Sequence, residues 1–450
     1  MAHHRQRNGL EKVLSVFADV RPGEGRATAL LALSIFMLLT AYYIIKPVRE
    51  ALILAGGGAA VKSYASAGQA ALLLVTVPLY ARLAGRLPRR RLLSVVTLFF
   101  TACLGGFYLL AQLQVPLGVP FFLWVGVFNY TVVAQFWSLA NDLHTPEAGK
   151  RLFAILGFGA SAGAVFGSWV TEVLIEPLGM YQLLLLSAGL LVASLALSLV
   201  AEARKSHATS SDADGTTAEP SPDEGLGDRN VFAVMLSSGY LQLLALLTLL
   251  TNLVNTTGEY MLGTLVEQSA REMALAAGTS PDGMQGVMGP WIGSFYAGFF
   301  KYVNIVGLVA QLFLVSRLVK YLGVRVCLMI LPLIAMGGYA MLLVFPVLSA
   351  VRWAKTAENA ADYSLQNTVR NMLWLPTSRE EKYKAKQFVD TFCVRVGDML
   401  SAGVVFAGTH WLAARLSHFA AFNLALVVIW LFVAVIIGRR FQRLSPDHRP

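Results

Sequence analysis

The chain has 450 residues, of which 56% are hydrophobic and only 14% charged. A soluble globular chain carries about 25% charged residues, so this one cannot cover itself with charge, and a water-soluble enzyme is excluded at the outset. The formal net charge of +10 belongs to the Lys/Arg excess of cytoplasmic loops rather than to a nucleic-acid surface, because no basic soluble face with interleaved aromatics exists.

Roughly 20 apolar residues cross a bilayer as a helix. By that rule the chain holds spans at 28–53, 62–84, 92–113, 118–142, 152–174 and 180–201. Six more follow at 231–262, 291–316, 323–346, 350–374, 387–414 and 418–439. Residues 1–27 precede them as a cytoplasmic segment. Leu10, Val13, Leu14 and Phe17 recur there at helical spacing, as in an amphipathic surface helix that the Arg21–Glu24 stretch ends. Residues 202–230 are polar and rich in Ser, Pro, Gly and Asp, the composition of a disordered cytoplasmic linker. The expected organisation is a six-helix bundle (28–201), the linker, a second six-helix bundle (231–440) and a cytoplasmic tail (441–450). Cys103, Cys327 and Cys393 lie in apolar runs at no ligand spacing and read as reduced core residues. Nothing predicts a metal or a cofactor, and no nucleophile–base pair predicts an enzyme.

Basic turns set the orientation. Arg82, Arg86, Arg89, Arg90 and Arg91 follow the second span, and Lys150 and Arg151 the fourth. Arg317, Lys320 and Arg325 follow the eighth, and Arg379, Lys382, Lys384 and Lys386 the tenth. These turns fall on one side, which places both termini and the linker in the cytoplasm of a cell whose inner membrane holds the chain. The turns at 81–90 and 316–325 echo each other at Arg82/Arg317, Leu87/Leu322 and Arg90/Arg325. A six-plus-six repeat with such turns is the layout of major-facilitator transporters. The expected fold is an all-α membrane protein of about twelve transmembrane helices in two six-helix halves.

In that layout the first, fourth, seventh and tenth spans line a central path. Their polar residues concentrate on single faces. Tyr42, Lys46, Arg49 and Glu50 share about a third of the first, and Thr131, Gln135, Ser138 and Asp142 a face of the fourth. Thr248, Asn252, Asn255, Thr256 and Glu259 share one on the seventh. Arg352, Lys355, Asn359, Asp362, Gln366 and Arg370 run down the tenth over about 27 Å. The eighth adds Lys301 and Asn304. Ionisable groups at membrane depth cost about 2.5–3.5 kcal/mol each, so they pair, face water or bind cargo. Two glycine patterns mimic nucleotide motifs. Residues 56–63 resemble a phosphate loop, but Val61 stands before Lys62 and no strand precedes. Gly157, Gly159 and Gly163 resemble a dinucleotide fingerprint, but Gly159, Gly163 and Gly167 recur every four residues, the spacing of close helix packing.

Three stretches carry a family likeness. The first span ends Tyr43, Ile44, Ile45, Lys46, Pro47, Val48, Arg49, Glu50, Ala51, Leu52. The fourth ends Phe136, Trp137, Ala140, Asn141, Asp142, followed by Lys150, Arg151, Phe153, Gly157 and Gly159. The tenth carries Asp362, Tyr363, Ser364, Leu365, Arg370, Met372, Trp374 and Pro376. With these the chain resembles the non-mitochondrial ATP/ADP antiporters, the nucleotide transport proteins of plastids and intracellular bacteria. The resemblance implies exchange of adenine nucleotides, with cations of the first and tenth helices on phosphates and acids of the fourth and seventh completing the site. It transfers to Arg49, Asp142 and Arg370. The chain departs at the seventh helix, where the family's Asn-Leu-Val-Glu is Asn252, Leu253, Val254, Asn255, with Glu259 a turn later. The family's lysines are arginines at 49 and 370, which still grip anions.

The expected substrate-binding set is therefore Lys46, Arg49, Glu50, Asp142, Asn255, Glu259, Lys301, Lys355, Asp362 and Arg370. The expected partners are a small anionic substrate and the lipid bilayer, and a monomer suffices. The expected mechanism is alternating access, with cargo competing with Glu50, Asp142, Glu259 and Asp362 for the cations. A proton-coupled permease for another organic anion, with Asp142, Glu259 and Asp362 as proton carriers, stays open beside it, as does a non-transporting membrane scaffold. The spacing Tyr42-x5-Val48-Arg49-x2-Leu52 recurs as Tyr363-x5-Val369-Arg370-x2-Leu373, which pairs Arg49 with Arg370.

Overall fold

In a computed structural model, residues 24–211, 231–378 and 381–444 are described, together with Gly9, Glu11, Ser15 and residues 19–21. Most of the expected N-terminal amphipathic helix, linker residues 212–230, Arg379 and tail residues 445–450 lie outside the described residues, as do the side chains of Lys150 and Lys382.

The described residues are helical with no strand among them. Among the described residues, nine helices are long and apolar enough to cross a membrane. Two of the nine are each a pair. Gly25–Arg86 breaks at Gly58 (φ 79°, ψ 177°), which gives α1 (25–57) and α2 (59–86). Met284–Val344 breaks at Gly323 (φ 73°, ψ 163°), which gives α8 (284–322) and α9 (324–344). Between them in order come α3 (Arg89–Gln112), α4 (Gly118–Leu143), α5 (Pro146–Leu178), α6 (Gln182–Ser211) and α7 (Gly239–Ala276). Then follow α10 (348–372), α11 (Lys386–Trp411) and α12 (Leu416–Leu444). Helix α10 is less apolar because of its polar stripe, and with it the helices of membrane-crossing length among the described residues number twelve. The fold class expected from sequence is the one observed.

The helices are longer than the apolar runs. Polar residues beyond the lipid continue them, as Glu267, Arg271 and Glu272 do on α7. Helix α6 runs to Ser211, so the first part of the expected linker is helical. A left-handed residue at Gly58 or Gly323 replaces what reads in sequence as a loop, since only glycine enters that region cheaply. The fold of α4 and α10 is locally widened by π turns at Asn129–Val133 and Asp362–Gln366. Such turns insert one residue into the helical ladder and shift a stripe's register.

The chain forms two compact units. One contains residues 1–56, 71–217 and 285–301; the other contains 57–70, 218–284 and 302–450. In the first, α1 lies against the glycine stripe of α5. A Cβ on Gly159 would sit 2.7 Å from the Ala32 carbonyl, and those on Gly163 and Gly167 would strike the backbones of Phe36 and Thr40. The spacing thus serves helix packing, as read from sequence. On the other side of α1, Ser34 hydrogen-bonds with Ser194 (2.9 Å) and Ser198 (2.7 Å) of α6. A run of rings (Phe100, Phe107, Phe121, Trp124, Phe128) fills the space between α3 and α4. In the second unit, α7 is the central spine. The Asn423 amide of α12 donates to the Val254 carbonyl (3.0 Å), and Thr257 bonds Ser401 of α11 (3.0 Å). Leu74, Leu79, Leu312, Phe313, Val428 and Phe432 are each more than half exposed. On a chain of this composition such a surface faces lipid.

Candidate functional site

The first unit holds Lys46, Arg49, Glu50, Asp142 and Lys301. Arg49 and Glu50 are neighbours in sequence on a helix, yet their side chains converge. The Arg49 Nε donates to the Glu50 carboxylate at 3.1 Å, and an Nη also contacts it. Glu50 is 1% exposed and Arg49 15%, so the carboxylate is sealed and the guanidinium is partly open. Phe122 of α4 supplies a ring face 4.8 Å from that guanidinium. The Lys46 ammonium sits 3.9 Å from the centre of the Phe300 ring and 5.2 Å from that of Tyr43. Aromatic faces attract a desolvated cation by about 2 kcal/mol or more. The rings of Phe300 and Tyr43 thereby clothe the Lys46 ammonium. Lys301 makes an ion pair with Glu172 of α5, a residue absent from the expected set.

Asp142 stands apart from this group in its bonding. At the last turn of α4 it is half exposed and pairs with Arg89, the first residue of α3, at 3.3 Å. Arg89 also holds Glu202 of α6 at 2.9 Å. The start of α3 and the end of α4 meet α6 in this cluster, which ties a basic turn to two neighbouring helices.

The second unit holds the other five. Lys355 of α10 is 3% exposed and lies 2.9 Å from Glu358, one turn on and 7% exposed. It also donates to the Asn255 side-chain oxygen at 3.0 Å. Tyr339 of α9 donates to the Val254 carbonyl (3.1 Å) and lies 3.4 Å from Glu358. These groups reach the α7 backbone because residue 258 is glycine. A Cβ there would strike the Tyr339 hydroxyl and come within 3.0 Å of the Lys355 ammonium. A small pocket lined by Gly258, Tyr339, Lys355 and Glu358 has room for about one water. One turn along, Glu259 accepts from the Asn359 amide at 3.1 Å and faces Lys62 of α2 at 3.7 Å. Asp362 opens the π turn of α10, within electrostatic reach of Arg370 and Lys355.

The structure therefore joins Asn255 to Lys355, and Glu259 to Asn359, as a ladder between α7 and α10. Sequence reasoning missed Glu358, the closest partner of Lys355, although it stands three residues on and beside Asn359. It missed Glu172, although Ser168 and Glu176 stand one turn to either side of it. It also missed a second ladder. Asn252 and Thr256, read as sharing one face with Asn255 and Glu259, turn instead to α11. There Asp398 accepts from Asn252 (2.8 Å) and Thr256 (3.1 Å), and its other oxygen holds Arg395 at 2.9 Å. The signal was present as Arg395 and Asp398, opposite charges three residues apart in a mostly apolar span.

No family model matches the chain, and no curated protein matches it in sequence. Solved structures do match in fold. A bacterial homologue of the human lysosomal transporter Spinster superposes with a TM-score of 0.57 at 15% identity, over 94% of this chain and 99% of the other. The nucleoside transporter NupG gives 0.59 at 11% identity, over 93% and 99%. The human organic anion transporter MFSD10 gives 0.54 at 15%, over 92% and 100%. With twelve helices and near-complete coverage, the chain has the fold of the major-facilitator-like membrane proteins.

Proposed function

We propose that the chain is a secondary-active transporter of the ATP/ADP antiporter type, exchanging nucleotides or related anionic metabolites by alternating access. It is held in an inner membrane with both termini cytoplasmic, and its cargo is moved without chemical change. The observation that carries this reading is the internal pairing of cations inside spans, Arg49 with Glu50 and Lys355 with Glu358. A packed helix has no use for such groups, and each is expensive in lipid. Paired, they keep the empty carrier neutral. An anion that takes over the cations releases the carboxylates, and only a second anion or the carboxylates can restore balance, which favours exchange over net uptake. Arginines at 49 and 370 suit phosphate or carboxylate cargo through bidentate bonds. The fold is also that of proteins whose names specify nucleoside and organic anion transport.

The test is exchange in proteoliposomes. Vesicles loaded with ADP should take up labelled ATP, and empty vesicles should not. Arg49→Ala and Arg370→Ala should abolish uptake while the protein still inserts. Unchanged uptake by both variants rejects the assignment. One observation favours a second reading, a proton-coupled permease: Glu358 is a buried carboxylate between Lys355 and Tyr339. Uptake into empty vesicles driven by a pH gradient would select that reading.

A further inference from the structure

Helix α11 carries an ion pair that the expected binding set does not use. Arg395 lies nine residues beyond Lys386, where the span begins, about 13 Å along the helix axis. An arginine that merely snorkelled would reach back toward the Lys386 end. Arg395 reaches the opposite way, and its Nη1 meets Asp398 one turn deeper at 2.9 Å. It is 19% exposed. Within a membrane span, an accessible guanidinium faces a water-filled path and not lipid.

Its carboxylate partner is built in from behind. One oxygen of Asp398 takes the Asn252 amide (2.8 Å) and the Thr256 hydroxyl (3.1 Å), both from α7, and leaves the other for Arg395. The same Asn252 amide donates to the Val394 carbonyl at 2.7 Å. That approach needs a glycine at 397, where a Cβ would stand 2.8 Å from the Asn252 nitrogen. Four residues from two helices thus fix one carboxylate, and the carboxylate fixes one arginine. The design repeats that of Arg49 and Glu50, with a carboxylate more buried than the guanidinium it orients.

We propose that Arg395 is a further anion-binding residue for the cargo, aimed by Asp398 as a positioning residue, so that α11 joins α10 in holding a multiply charged anion. The inference rests on the transporter reading above. A pair that only welded α7 to α11 would leave ligand affinity untouched, and the Thr257–Ser401 bond already serves as such a weld.

The experiment measures the thermal shift given by ADP and by pyrophosphate, each relative to the ligand-free protein, together with KM and kcat of ADP/ATP exchange in proteoliposomes. Arg395→Ala should lose most of the shift and raise KM at least tenfold. Arg395→Lys keeps the charge and the fold but not the fork, and should raise KM by a smaller factor. Ser401→Ala should lower the ligand-free melting temperature and leave KM unchanged. Wild-type shift and KM in Arg395→Ala, or wild-type KM in Arg395→Lys should the alanine variant not fold, overturns this role and leaves the exchange reading standing. A wild-type protein that shows neither shift nor exchange overturns both.

Discussion

Lys355 and Glu358 show how much a single side chain decides here. Both are nearly sealed, and each satisfies the other at 2.9 Å. Removing one partner of a buried pair leaves an uncompensated charge and costs about 3–5 kcal/mol, whereas replacing both with apolar residues of similar volume is often neutral. Lys355→Met alone should therefore lower the melting temperature sharply, and the double variant Lys355→Met/Glu358→Leu should recover most of the loss. Thermal denaturation in detergent checks the order. Asp142 belongs to the other extreme. It and Arg89 are each more than two-fifths exposed, where an ion pair contributes about 0–1 kcal/mol. Asp142→Asn should move the melting temperature little. Its role in exchange then separates two accounts: loss of uptake supports the substrate role that the family likeness implies, and retained uptake assigns Asp142 to the Arg89–Glu202 cluster alone.

At the level of elements, the contacts between helices explain which residues tolerate change. On α5, a Cβ at Gly163 would strike the Phe36 backbone of α1, while one at Gly157 meets nothing within 4 Å. Gly163→Ala should cost about 1–3 kcal/mol through overpacking. Gly157→Ala should stabilise by up to about 1 kcal/mol, because alanine is the better helix former. The pair of variants, compared by thermal melting, tests whether the stripe is packing or a nucleotide loop. The stripe, the spans and the polar face of α10 were all legible in sequence, since each rests on helical period and on the length of an apolar run. The partners were not. Period alone puts Asn252, Asn255, Thr256 and Glu259 on one face, but α10 and α11 flank α7 and divide that face between them. Glu358, Glu172 and Asp398 are singled out by the cation each meets on another turn or another helix, a pairing that the period of one face does not reveal. The turns at Gly58 and Gly323 were hidden for a different reason: one left-handed residue does what a polar loop would announce.

Across the whole chain, the compact units coincide with the sequence halves except for two segments, 57–70 and 285–301, each of which packs with the half it does not belong to. Both are anchored by specific bonds. In 57–70, the Ala59 amide donates to Glu267 of α7 (2.9 Å), Lys62 faces Glu259, and Tyr64 meets Thr409 of α11 (3.3 Å). In 285–301, Gly293 lets α8 approach Ile175 and Ala51, Phe300 receives the Lys46 ammonium, and Lys301 pairs with Glu172. Each half of the chain therefore lacks, by itself, a segment that completes its packing. If this exchange stabilises the fold, the connection through 212–230 is dispensable for assembly. Residues 1–211 and 231–450, co-expressed as separate chains, should copurify through a tag on either one. Reversing both cations, Lys62→Glu with Lys301→Glu, sets like charges against Glu259 and Glu172 and should weaken recovery severalfold. Adding Glu259→Lys and Glu172→Lys should restore it. Halves that never copurify, or that copurify equally whatever the charges, would show that the exchanged segments do not hold the two parts of the chain together.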